Sequence, residues 1–384
     1  MNRRGLMAGL PLAAAPGAVL AQGRAANPGA APARSAAPPP GPRGPITPEG
    51  AIADGASHPL AERFANLAAA RATFPHAGAM SDEIDWCALQ GAIDRAVAQG
   101  GGAVHVPNGG RGYVLNRGLI INPNLVTLRG DGSLLDFRSL PAGGRALWFK
   151  ADGASSYGHD KHVFEGFDLL GPGRDRDTIG ALFQTDTPGL SSRTQLRDCV
   201  ARNFRVALEM GDRAYLISFA HCSFYECEYV FRAPAGLEDS GESITFSQCV
   251  LFNSYCLIAN MAGCGLRFLG CALDYADRIV WDNNGHIDFV SCHIEFAPPA
   301  EPPFHNGVGR IDFHGGFIQI NGNARPRVAG LFASNIETAT YHMFGLRGWN
   351  WGTTTGRLAD GPGKIYWHQG TVIDAPPEGY QYRG

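Results

Sequence analysis

Two acidic side chains stand three residues after a cysteine in successive copies of one short pattern: Asp274 after Cys271, and Glu295 after Cys292. Carboxyls held a few ångströms apart split their acidities, because like charges at that range raise the pKa of at least one partner. Such a pair offers a proton donor and a carboxylate together at neutral pH, as general acid chemistry beside a base or nucleophile requires. The same offset from the other cysteines gives Arg202, Tyr225 and Phe252, and the matching place after Gly316 is Gln319. Tyr225 and Phe252 bring ring faces, and His293 lies two residues before Glu295. Asp274 and Glu295 are therefore the candidate catalytic residues. Tyr225, Phe252, His293, Gln319 and Arg202 are the candidate binding residues. An ordinary solvated outer face would carry the same residues without a site.

A second series occupies the middle of an aliphatic-x-Phe pattern: Ser218, Thr245, Arg267, Asp288 and Asp312. Arg267 above Asp288 reads as an ion pair between coils, worth little if exposed. Asp288 beside Asp312 could hold Ca2+, which favours clustered carboxylate oxygens. His286, His305 and His314 have no consistent spacing with these acids and are set aside as metal ligands. Neither a Cys-x-x-Cys pair nor a zinc-type His/Cys spacing occurs. The expected cofactor is none, with Ca2+ the one cation the pattern permits.

These offsets mean something only if the elements carrying them stack. Gln195-Leu-Arg-Asp-Cys199, Ser218-Phe-Ala-His-Cys222, Thr245-Phe-Ser-Gln-Cys249, Arg267-Phe-Leu-Gly-Cys271 and Asp288-Phe-Val-Ser-Cys292 repeat one pattern, their cysteines 23, 27, 22 and 21 residues apart. A repeat of that length, with strand-like alternation and small polar turns, predicts a solenoid. Each repeat becomes one coil of a parallel β-helix, and equal positions stack about 4.8 Å apart. Ala201, Phe224, Leu251, Leu273, Ile294 and Ile318 should point inward, which turns their neighbours outward. The cysteines should form an internal file of free thiols, because parallel neighbours stand further apart than a disulfide prefers.

Before the repeats, apolar residues at 86, 89, 93 and 97 put one stripe on a helix that ends at Gly100-Gly-Gly102. Strands follow at Ala103–Pro107 and Leu119–Ile121, and Leu125-Val-Thr-Leu-Arg-Gly-Asp-Gly132 closes the first coil. A shorter helix is expected over 58–72. Residues 325–384 lose the period and gain Trp349, Trp351 and Trp367, which predicts an irregular last coil and C-terminal cap.

The run of helix, Gly-Gly-Gly-Ala-Val-His-Val-Pro, Gly-Tyr-Val-Leu and Val-Thr-Leu-Arg-Gly-Asp-Gly resembles the N-terminal cap and first coil of pectate-lyase-superfamily right-handed β-helix proteins, closely over 82–137 and more loosely to about 320. The resemblance implies an all-β, right-handed parallel β-helix over 80–324. It also implies a polysaccharide as partner, cleaved by hydrolysis or β-elimination. Fold does not fix reaction. The polygalacturonase set and the Asp-Pro-His-Glu motif of alginate epimerases are missing. The rival expectation is a non-catalytic carbohydrate-binding or surface-structural β-helix. Relatives of the tailspike kind form trimers, so a homo-oligomer is compatible with the reading.

Residues 1–21 carry Arg3-Arg4, a mild apolar stretch and Val19-Leu20-Ala21, which resembles a twin-arginine export signal. The expected location is periplasmic or secreted. The Ala/Pro/Gly-rich stretch 22–57 reads as a disordered linker, and with the short helix it completes a leading region 22–79. A net charge of −3 offers no basic field for nucleic acid, and no segment suits a membrane span.

Overall fold

A computed structural model describes residues 44–151, 162–185, 189–297, 299–322, 327–328, 330–351 and 358–373. The expected export signal lies outside them. The chain winds as a parallel β-solenoid of about ten turns, with its helices at the N-terminal side. Three ladders of strands run along it. The first goes from Gly102–Val106 to Lys364–Trp367, and the second from Tyr113–Val114 to Val372–Ile373. The third holds ten strands, from Leu119–Ile121 to Ala359–Asp360. The long strands Val126–Asp136 and His162–Leu170 span the first two ladders, which then part at a sharp corner.

That corner is where the repeated pattern acts. One residue before each cysteine takes the left-handed conformation: Asp198, His221, Gln248, Gly270 and Ser291 have φ between 51° and 59°. The reversal turns the chain between ladders and drops the next side chain inward. Cys199, Cys222, Cys249, Cys271 and Cys292 are all buried and free, as are the other four cysteines. Their Sγ atoms lie against backbone carbonyls, Cys249 at 3.5 Å from Phe219 O. Beside them the phenylalanines of the pattern form a column: Phe219, Phe246, Phe268, Phe289 and Phe313 stack at 4.5, 4.6, 5.2 and 5.2 Å between centroids. Each buried ring contributes about 1.5–3 kcal/mol of transfer free energy. Elsewhere inside, Asn260, Asn283 and Asn306 bond in series at 2.8 and 3.0 Å, so these wholly buried amides keep partners.

The cap helix is Ile84–Ala98, burying Trp86, Leu89 and Ile93 over the open first coil. It stops where Gly100 and Gly101 adopt positive φ. Three sequence expectations need correction. Residues 45–57 are not a loose linker: Ile46 pairs with Val104, Asp54 with Gly112, and the buried Asp85 carboxylate accepts from the amides of Ile52 at 2.6 Å and Ala53 at 3.2 Å. The helix expected over 58–72 is a single 3-10 turn, Leu60–Glu62, followed by a helix at Leu67–Thr73. The C-terminal part keeps its period, because Thr340–Phe344 and Lys364–Trp367 extend the first ladder and Arg347–Trp349 extends the second. There Met343 and Leu346 take the places of Phe and Cys, preserving the apolar alternation while losing the residue types.

Candidate functional site

The second ladder sets Arg202, Tyr225, Phe252, Asp274, Glu295, Gln319 and Trp349 in one register, each paired with the next. The intervening residues Leu273 and Ile294 are buried, so alternation turns the series outward. Asp274 and Glu295 thus stand side by side on neighbouring strands, as the cysteine offsets predict.

Their surroundings differ. Asp274 is half-buried, and its Oδ1 is shielded without a hydrogen-bond partner. Burial pushes its carboxyl above the usual range; His293 works against that and Glu295 adds to it. Glu295 accepts from His293 Nε2 at 3.0 Å, from the Tyr275 hydroxyl at 2.8 Å and from the Asn321 amide. These bonds favour the ionised form and hold its pKa below the ordinary value, the His293 contact most. Asp274, His293 and Glu295 each present a ligand-type atom, all within 4.8 Å of one another.

Around the pair, Tyr225 and Phe252 stack at 4.7 Å with an interplanar angle of 24°. Trp349 stands two strands beyond Glu295, 52% exposed. The ladder therefore runs ring, ring, acid, acid, amide, ring. Four strand steps separate Phe252 from Trp349, about 19 Å at the usual spacing. Gln319 donates to Asn321, which itself holds Glu295, so it acts on the acid through that amide. Arg202 is tied to Asp168 at 3.0 and 3.2 Å and is not a free cation beside Tyr225.

Tyr275, Asn321 and Trp349 escape the sequence reading. Tyr275 follows Asp274 at a left-handed turn with φ of 52°, which throws its ring out over the next coil. Asn203, Glu226, Asn253 and Asn350 turn at the equivalent place, and that recurrence was the available signal. Asn321 lies two residues after Gln319, beyond the strand.

The other acidic pair is also in register, Asp288 with Asp312. Its carboxylates are already matched. Arg310 grips Asp312 at 2.8 and 2.6 Å, and Arg267 reaches Asp288 at 3.2 Å. His286, set aside on spacing, lies 3.2 Å from both acids, and His314 lies 3.7 Å from Asp288. The register brings His286 to Asp312 and His314 to Asp288, while His286 and Asp288 lie two residues apart on one strand. Two guanidiniums supply the charge a bound Ca2+ would supply, so the cluster reads as an ion-pair network.

No protein-family profile and no curated protein matches the chain. Solved structures do. The enzymatically active domain of bacteriophage CBA120 tailspike protein 4 superposes with a TM-score of 0.61 at 18% identity, over 75% of this chain and 42% of that one. The corresponding domain of CBA120 tailspike protein 2 gives 0.53 at 13%, over 75% and 44%. ORF18 of Geobacillus virus E2 gives 0.52 at 14%, over 75% and 58%. The chain spans 42% to 58% of the length of these proteins. What is shared is the parallel β-solenoid of phage tailspike domains.

Proposed function

We propose that this chain is a glycoside hydrolase that cleaves a polysaccharide lying along the second ladder, with Asp274 as general acid and Glu295 as nucleophile. One observation carries the reading: two carboxyls in direct register whose environments drive their acidities apart. The neutral Asp274 carboxyl gives its proton to the glycosidic oxygen as the bond to the anomeric carbon breaks. Glu295 bonds to that carbon. Water then cleaves the glycosyl ester, and the Asp274 carboxylate takes the water's proton. Carboxyl oxygens within 4.8 Å suit this double displacement, since enzymes that retain configuration hold the groups about 5–5.5 Å apart and inverting ones leave room for a water. Tyr225, Phe252 and Trp349 provide faces for sugar rings on both sides of the pair.

Elimination fits less well. It needs a cation over a uronate carboxylate, and the middle-coil arginines are engaged: Arg202 by Asp168, Arg232 by Glu209, Arg267 by Asp288 and Arg278 by Glu301. The likeness to tailspike domains described as enzymatically active adds support from fold alone. The pectate-lyase-superfamily resemblance implies a polysaccharide substrate without choosing between the two reactions. An exported protein would meet such polymers in the periplasm or outside the cell.

The test is incubation of purified protein with a polysaccharide panel, reading both reducing ends and the ultraviolet absorbance of unsaturated sugars. New reducing ends without that absorbance support hydrolysis. Absorbance would establish elimination instead. Saturable binding with no cleavage would make the chain a carbohydrate-binding module.

A further inference from the structure

At the N-terminal end, far from the acid pair, lies a cavity of 640 Å³ between the cap helix and the first coils. That volume falls in the range of small-molecule sites. From Arg145–Phe149 beside it, the third ladder runs five strands to Arg278–Asn283, about 24 Å at the usual spacing.

Its walls bring together indoles, cationic side chains and one carboxylate, Asp94, which lies 3.5 Å from Nδ1 of His76. Trp86 donates from Nε1 to Gly118 O and Trp148 from Nε1 to Gln184 O, both at 3.0 Å. Each indole is therefore held by its edge, and its orientation is set in advance. Arg117 lies 4.6 Å from the Trp86 ring, and Arg145 and Lys150 lie 4.8 and 4.7 Å from the Trp148 ring. Arg117 has a carboxylate partner, Asp82 at 3.1 Å. Arg145 is exposed and meets no carboxylate among the described residues. Ile120, half-exposed, contributes an apolar wall. Deeper in, Nε2 of His76 is buried without a hydrogen-bond partner of ordinary geometry. Burial holds that imidazole below its usual pKa, against the pull of Asp94.

We infer that this cavity is a second saccharide site, which binds an acidic sugar by stacking it on Trp148 and holding its carboxylate with Arg145. The Trp148 indole beside a guanidinium that meets no carboxylate among the described residues matches a ring with one apolar face and a carboxylate. A purely apolar ligand would leave Arg145 unused, and an inorganic anion would leave Trp148 unused. The site stands whether or not Asp274 and Glu295 cleave anything.

The full chain is titrated with galacturonate, glucuronate and mannuronate, monosaccharides with no glycosidic bond to cleave, while tryptophan fluorescence is followed. Glucose, galactose and mannose serve as uncharged controls, and inorganic phosphate as a bare anion. At least one uronate should give a saturable change that neither its neutral counterpart nor phosphate gives. Adding Arg145→Gln, at an exposed position, should leave the melting temperature in place and weaken that uronate about tenfold, the scale of one charge-assisted hydrogen bond. Silence with all three uronates overturns the inference. So does equal binding of neutral sugars, or an unchanged affinity in the Arg145→Gln protein.

Discussion

Asp274 and Glu295 occupy partner positions on adjacent parallel strands, yet their carboxyls are driven in opposite directions. Burial raises the first, and three hydrogen bonds lower the second. Activity needs Asp274 protonated and Glu295 ionised. The pH profile of kcat/KM on a cleavable polysaccharide should therefore be bell-shaped, its acid limb set by Glu295 and its alkaline limb by Asp274. Asp274→Asn and Glu295→Gln should each lower kcat by about 10²–10⁴-fold. Full activity in either variant would remove the assignment.

The same asymmetry has a stability consequence. Asp274 has a folded-state pKa above its unfolded value, so the native state binds the extra proton. Its contribution is fully present below the ordinary aspartate pKa and is lost as pH rises through the raised one. Above that raised pKa the ionised side chain costs stability. Asp274→Asn should therefore raise the melting temperature at pH 7, with the gain shrinking towards pH 3. A variant less stable at pH 7 than the parent would show that the ionised carboxylate has partners that offset its burial.

Arg202 shares the ladder with the acids but is held by Asp168. Arg202→Gln should leave KM within about twofold, and the lost partly exposed ion pair should cost about 0–1 kcal/mol in urea unfolding. A KM rising in proportion with chain length of the substrate would instead place Arg202 in the sugar track.

The coils were legible because one corner repeats. A left-handed residue followed by cysteine fixes the register, and alternation then turns Asp274 and Glu295 outward while Leu273 and Ile294 go inside. The last coils were not legible by the same reading, since Met343 and Leu346 fill the places of Phe and Cys with different residue types of similar bulk. Tyr275 and Asn321 were hidden for another reason. They reach Glu295 from outside the strand pattern, and periodicity speaks only for residues within it. The contact of His286 with Asp312 arises from stacking across coils, which spacing along one coil does not encode.

Gly316 tests the corner itself. It replaces the file's next cysteine, with φ of 83°, and a Cβ there would run into Cys292 O. Gly316→Ala must therefore shift backbone and adopt a left-handed conformation, and should cost more than about 1 kcal/mol. Cys249→Ser should cost about 1–3 kcal/mol, because a buried hydroxyl replaces an apolar thiol. The nearby carbonyls of Phe219 and Ser247, each 3.5 Å from Sγ, favour the low end of that range. Chemical unfolding measures both. A neutral Gly316→Ala would mean that the corner relaxes more easily than its contacts allow.

Trp349 is the most exposed ring of the track, and the acids lie between it and the Tyr225–Phe252 stack. Because it is already in water, removing it should leave folding nearly untouched. If a chain of sugars spans the ladder, Trp349→Ala and Phe252→Ala each delete one stacking surface on opposite sides of the pair. Losing one stacking contact of about 0.5–1.5 kcal/mol corresponds to roughly a two- to tenfold rise in KM. The two effects should add for long oligosaccharides, since the rings are far enough apart to act independently. For substrates too short to reach both rings, only one variant should matter, and which one reports the polarity of the chain across Asp274 and Glu295. A KM unchanged in both variants on long substrates would move the polymer off this ladder altogether.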